Sequence, residues 1–315
     1  MRALVVTLLL TAQGSTPIFR FEADGFWLNL HHFLYVLGRA QNNAPDAQRA
    51  AVVNAPKDQE AGLAGLSASA RQDWDSAVRF YAGGLSKMDA VFDRDLSNIT
   101  NAMRVPPNAT AAALKVDAEL RDTLLRVAPL YRAAWWPRHQ AENNARARDF
   151  SRLLEQHGDA VRAYVTRAYQ QPWPAAGFQV NLSGYTNWAG AYSTDGGLIV
   201  IASLDQGNAG SYGLESMFHE AMHQWDQPMM ARLSRLAKEH QAPQPRQGIT
   251  HALIWYTAAE AVKSVIPAHA GYAQRGGMWK QKVNGSFKAA LDAHWKPYLD
   301  GQGTLDEALL GLLKS

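Results

Sequence analysis

Cysteine is absent from all 315 residues. That removes disulfide frameworks, thiolate metal sites and cysteine nucleophiles together. Any metal chemistry is left to His, Asp and Glu. Long apolar runs are also missing: no segment reaches the roughly 20 residues that span a bilayer, so membrane insertion is not expected. Nor does one sign of charge dominate, with 31 basic against 28 acidic residues and a net charge of +3. The densest basic cluster is Arg138, Arg146, Arg148 and Arg152. It falls in a stretch of helical pattern without aromatic interleaving, which reads as a solvated helix face and not as a nucleic-acid surface.

What is present is an ordinary globular composition, 47% hydrophobic and 19% charged. The first residues have the form of an export leader. Arg2 supplies the positive start, Ala3 to Leu10 the apolar run, and Ala12-Gln13-Gly14 a small-x-small cleavage pattern that makes Ser15 the first mature residue. The alternative reading of that run is a buried first strand. An exported chain without disulfides fits the bacterial periplasm or exterior.

Past residue 14 the pattern divides in two. Residues 15–175 read as a mostly helical region: a short strand at Ile18 to Glu22, an apolar helix from Phe26 to Ala40, and a loop-rich stretch from Gln41 to Ser69. Amphipathic helices follow to Gln171, with breaks at Pro106-Pro107, Pro137 and Gly158. Residues 176–315 change character. Phe178 to Leu182, Ala189 to Ser193 and Leu198 to Ser203 are short runs of strand type, and the remainder is helical, with Ser211 as a plausible N-cap. The fold class expected is α+β, mainly α, with one small mixed sheet.

The chemistry concentrates in His219-Glu220-Ala221-Met222-His223. Residues four apart stand one above the other on a helix, so both imidazoles can reach one ion. Glu220 is turned aside from that face. There it can take a proton from a zinc-activated water, whose pKa falls to about 7, and return it to the leaving group. Chance supplies the pattern about once in a hundred chains of this composition. The neighbours Met217, Phe218, Ala221, Met222 and Trp225 make the helix largely buried, and buried histidines and carboxylates need partners.

With Phe218-His-Glu-Ala-Met-His-Gln224 and the apolar strand Leu198 to Ala202 upstream, the chain resembles the zincin superfamily of metallopeptidases over roughly residues 178–266. The resemblance implies a sheet preceding the active-site helix, a catalytic Zn2+, and a strand edge that aligns an extended peptide. The free edge of Leu198 to Ala202 is the one expected to serve.

A catalytic zinc takes three protein ligands and keeps one position for water. The metzincin continuation does not fit, because Gln224-Trp-Asp-Gln-Pro228 follows the motif. Asp226 and Glu215 share the ligand face but stand about a turn from it; Asp226 suits a helix cap before Pro228 or a partner for a histidine. Glu260 is the preferred third ligand, the only charged residue between Ala252 and Val262 and costly to bury unless paired or metal-bound. That arrangement resembles the gluzincins, where a downstream helix donates a Glu; the alternative is a pair with an Arg such as Arg275. His251 is the competing ligand. It lies nine residues before Glu260 on the opposite side of the helix, so both cannot serve one ion. Tyr256 shares the Glu260 face and could bond its carboxylate.

For the oxyanion donor the choice is Tyr272, ahead of His269 and His251. The His31-His32 pair reads as packed, and Trp135-Trp136-Pro-Arg-His139 as a helix junction. The expected function is a zinc metallohydrolase, with a peptide or other small amide as partner. A non-peptide amide or ester hydrolase, or a non-catalytic metal or helical binding protein, stands beside it. Metal binding alone does not call for Glu220.

Overall fold

Residues 17–44 and 54–315 are described by the structure, a computed structural model. The leader expected over residues 1–14 lies outside them. Strand β1 (Phe19–Glu22) leads into helix α1 (Phe26–Gln41), followed by α2 (Ala55–Leu63), α3 (Ala68–Gly83), α4 (Arg94–Ala102), α5 (Ala118–Ala134), α6 (Trp136–Leu153) and α7 (Asp159–Tyr169). A wider π-type turn, Leu154–Gly158, joins α6 to α7. Gly158 therefore sits inside a continuous helical path instead of ending it. Pro137 likewise opens α6, where its missing N–H costs nothing.

Strands β2 (Phe178–Ser183), β3 (Ala191–Thr194) and β4 (Leu198–Ala202) come next. Helix α8 (Ser211–His223) carries the His-Glu-x-x-His motif. It is succeeded by α9 (Gln227–Glu239), α10 (Ile249–Val265), α11 (Tyr272–Arg275), α12 (Lys282–Ala290), α13 (Lys296–Leu299) and α14 (Leu305–Lys314). The protein is mainly helical with one small mixed sheet. Among the described residues no helix is long and apolar enough to cross a membrane.

The sheet order is β1-β2-β4-β3, with β1, β2 and β4 parallel and β3 antiparallel to β4. Leu198 to Ala202 is thus an interior strand, paired on both sides, and not the free edge expected of it. The edge strands are β1 and β3, and β3 is the one beside β4. The all-apolar sequence of β4 follows from the same fact, since a strand covered on both faces has no reason to alternate. Ile199 and Ile201 point into one core with Val180, Leu182, Met217 and Phe218. Leu198 and Val200 point into a second, with Tyr192 and the apolar face of α1. β1, Phe150 of α6 and Val161 and Val165 of α7 belong to the first core, alongside the motif helix.

Close approach positions α8. A Cβ added at Gly213 would stand 2.4 Å from the Asn208 carbonyl oxygen and 2.4 Å from Phe150 Cε1. Only glycine lets the helix settle this near α6 and the loop before it.

Candidate metal centre

Helix α8 begins at Ser211, with Gly210 as its N-cap at φ +57° and no side-chain cap. Ser211, expected as the cap, is the first helical residue, and its hydroxyl bonds His269 Nδ1 at 3.0 Å. Leu214, Met217, Phe218, Ala221 and Met222 bury one side of the helix. Glu215, His219 and His223, spaced by four, form a stripe on another.

The third member of the cluster comes from the first turn of α10. His219 Nε2 lies 3.2 Å from His223 Nε2 and 3.3 Å from His251 Nε2. The ligand atoms of all three histidines fall within 4.8 Å of one another. Metal–nitrogen bonds of 2.0–2.1 Å at tetrahedral angles place donor atoms about 3.3–3.4 Å apart, so two of the three separations match the edge of a tetrahedral zinc-type site. Hydrogen bonding alone accounts for this poorly. One Nε2 offers a single hydrogen or a single lone pair, which serves one of its two neighbours; a cation among them serves all three.

Burial supports the donor state. It lowers the pKa of His219 well below the usual imidazole value, with the neighbouring His223 and His251 adding to the effect. It brings His223 to about 4 and His251 to about 3. The three rings are therefore unprotonated at neutral pH, as metal ligands must be. Trp255, one turn after His251, lies against the cluster with its ring centroid 4.1 Å from that of His251 and 6.2 Å from that of His219. It shields one side of the site from water and restricts both rings.

Glu220 is buried beside the cluster. Desolvation pushes its carboxyl up to about 8, against a smaller lowering from the Ser193 side chain on β3. Glu220, the three histidines, Trp255 and Tyr272 all line one open cleft of about 1720 Å³. β3 and the turn after it form one wall, and residues of α4 and the segment to Pro107 face the cleft beyond them. Several hydrogen bonds hold the wall: Gln224 donates to the Thr194 carbonyl at 3.0 Å, Asn101 to the Asp195 carbonyl at 3.0 Å and to Thr194 Oγ1 at 3.2 Å, and Arg104 to the Gly196 carbonyl at 3.3 Å.

The structure does not bring Glu260 to this group; the residue that joins His219 and His223 is His251. Nine residues of helix amount to about two and a half turns, so turning His251 toward α8 turns Glu260 away. Its carboxylate lies 3.7 Å from Lys296 Nζ and 3.7 Å from Lys263 Nζ, which supplies the pairing that burial demands. Arg275 is engaged elsewhere, over the Tyr212 ring and on the Gly207 carbonyl. Tyr256 donates to Asp292 at 2.8 Å and not to Glu260.

Tyr272 is in the cleft, its hydroxyl 3.5 Å from the Ala189 carbonyl oxygen. His269 is buried against Glu215 at 2.7 Å. Asp226 precedes α9 without a side-chain cap bond. His31 and His32 are packed and bonded, to Tyr81 and Thr100 and to Tyr192. Trp135 and His139 both bond Asp58 in the second core, away from the cleft. Trp255, Ser193 and Asn101 were not singled out by the sequence, where each is one ordinary residue in an ordinary helix or strand. No family model, curated protein or solved structure matches the chain, so the reading of the site rests on its own geometry.

Proposed function

We propose that the protein is a zinc-dependent hydrolase of exported type, acting on peptide bonds. One observation carries the reading: three imidazoles, one buried and two part-buried, whose nitrogens converge with two of three separations at tetrahedral-edge spacing, beside a buried carboxyl at the side of an open cleft. A nitrogen-only set of three suits zinc and leaves one position open, as catalytic sites require. Zinc held there would supply Lewis acidity to the scissile carbonyl and to the attacking water. Glu220 takes the proton of that water and passes it to the leaving nitrogen. Its place one residue after His219 on α8 puts the carboxyl beside the cluster and in the cleft, where both transfers would occur. Tyr272 donates a hydrogen bond to the developing oxyanion. The size of the cleft and the edge strand β3 along its wall favour an extended peptide over a small ester. The third ligand is an imidazole, so the likeness is to zincins in general and no longer to the gluzincin type.

The test combines metal analysis with hydrolysis of a quenched-fluorescent peptide mixture and of a p-nitrophenyl ester. One zinc per chain and peptide cleavage are expected. The Glu220→Gln protein keeps its zinc and loses about 10²–10⁴-fold in kcat. A zinc-loaded Glu220→Gln protein as fast as wild type would refute the mechanism; ester cleavage without peptide cleavage would refute the substrate class.

A further inference from the structure

Glu215 is the buried acid that the reading above leaves unused. It stands one turn before His219 on the same face of α8, and its side chain is 1% exposed. One oxygen, Oε2, accepts two hydrogen bonds: from His269 Nε2 at 2.7 Å and from the main-chain N–H of Tyr272 at 2.7 Å. Both donors lie in the segment that follows α10. The other oxygen, Oε1, is buried and has no hydrogen-bond partner among the described residues. Here a single oxygen gathers the segment.

The segment is shaped for this contact. With Nε2 donating to Glu215, His269 Nδ1 is left to accept the Ser211 hydroxyl. Gly271 takes φ +79°, and a Cβ there would meet Ala259 Cβ at 3.0 Å; this turn aims the Tyr272 N–H at α8. Helices α8 and α10 run antiparallel. The end of α8 meets the start of α10 through the three histidines, and the start of α8 meets the segment after α10 through Glu215. Tyr272 then reaches the same cleft as His219 and Glu220.

We propose that Glu215 is a positioning residue, fixing Tyr272 relative to the metal ligands through the main-chain N–H of Tyr272. The proposal rests on the hydrolase reading and adds to it the group that places the oxyanion donor. Glu215 lines the same cleft but is not a member of the histidine cluster; its role runs through Tyr272.

The test uses the zinc-loaded full chain as wild type, Glu215→Gln, Tyr272→Phe and the double variant. It reads kcat and KM on a quenched-fluorescent peptide mixture, zinc content, and amide hydrogen exchange of residues 266–277 by mass spectrometry. Tyr272→Phe loses about 10²-fold in kcat, and Glu215→Gln about 10-fold, each with KM and zinc content little changed. In the Tyr272→Phe background Glu215→Gln costs nothing further. Exchange in 266–277 rises about 10-fold in Glu215→Gln and stays at the wild-type rate in Tyr272→Phe. Equal losses from Glu215→Gln in both backgrounds, or unchanged exchange, overturn the proposal. If the wild type cleaves no peptide, the hydrolase reading fails, and exchange alone judges whether Glu215 holds Tyr272. Should Glu215→Gln not fold, Glu215→Asp retains the charge, draws the oxygen back by one methylene, and is read in the same way.

Discussion

His251→Gln and Glu260→Gln form a matched pair of substitutions on one helix, nine residues apart, and they should have opposite consequences. His251 Nε2 is 3.3 Å from His219 Nε2, so replacing it by an amide of similar volume removes one of three nitrogen donors. Loss of an outer partner of a metal ligand costs 10–100-fold in affinity. Loss of a ligand itself should exceed 100-fold, which is more than about 2.8 kcal/mol at 1.4 kcal/mol per decade. Among the described residues Glu260 forms ion pairs with two lysines, each at 3.7 Å and each partly exposed. Its replacement should leave zinc affinity unchanged and cost under about 1 kcal/mol of stability, the range of exposed ion pairs. The assay is competition against a chelating fluorophore at neutral pH, with metal content read independently by mass spectrometry. If Glu260→Gln releases zinc while His251→Gln holds it at wild-type affinity, the helix is turned the other way and the site as drawn is wrong.

Two further outcomes follow from burial. In the metal-free protein His223 and His251 have pKa values lowered from 6.5 to about 4 and about 3, so the stability they lend is present above pH 6.5 and is lost as pH falls toward 4 and 3. Glu220 has the reverse sign, its pKa raised from 4.5 to about 8, so its contribution is present below pH 4.5 and is lost as pH rises to 8. Denaturant titrations of metal-free Glu220→Gln should therefore show a shallower decline between pH 5 and 8 than wild type; parallel curves would contradict the assignment. Gly213→Ala forces a methyl to within 2.4 Å of the Asn208 carbonyl oxygen and Phe150 and should cost about 1–3 kcal/mol by overpacking, read as a lowered midpoint in urea. A neutral result would mean that α8 is free to shift.

The motif helix was legible because its chemistry sits in five adjacent residues, where helical spacing alone decides which side chains meet. The third histidine of the cluster was not, because it depends on how α10 is rolled about its axis. That helix is apolar nearly all round, with Leu253, Ile254, Ala258 and Val262 all buried, so its sequence carries no stripe to mark the inner face. The isolation of Glu260 was equally misleading. Lys296 comes from another helix, and Lys263 lies just beyond the apolar run, so the pairing that explains its burial is a tertiary fact. Strand positions were readable from composition, but the sheet order was not. The β3–β4 neighbourhood follows from a short connection; the insertion of β4 between β2 and β3 does not. That order is what gave the free edge to β3 and denied it to Leu198–Ala202.

The alternation of β4 between two cores has a consequence for how the molecule comes apart. Leu198 and Val200 belong to one core and Ile199 and Ile201 to the other, yet all share a single backbone ladder, with β2 on one side and β3 on the other. Melting the helices around α1 would strip the cover from Leu198, Val200 and Tyr192, and fraying of that strand would loosen Ile199 and Ile201 beneath α8. The two halves therefore act as one cooperative unit. The three clustered histidines, though drawn from two helices in the second half of the chain, are held in place by packing that begins at Phe19.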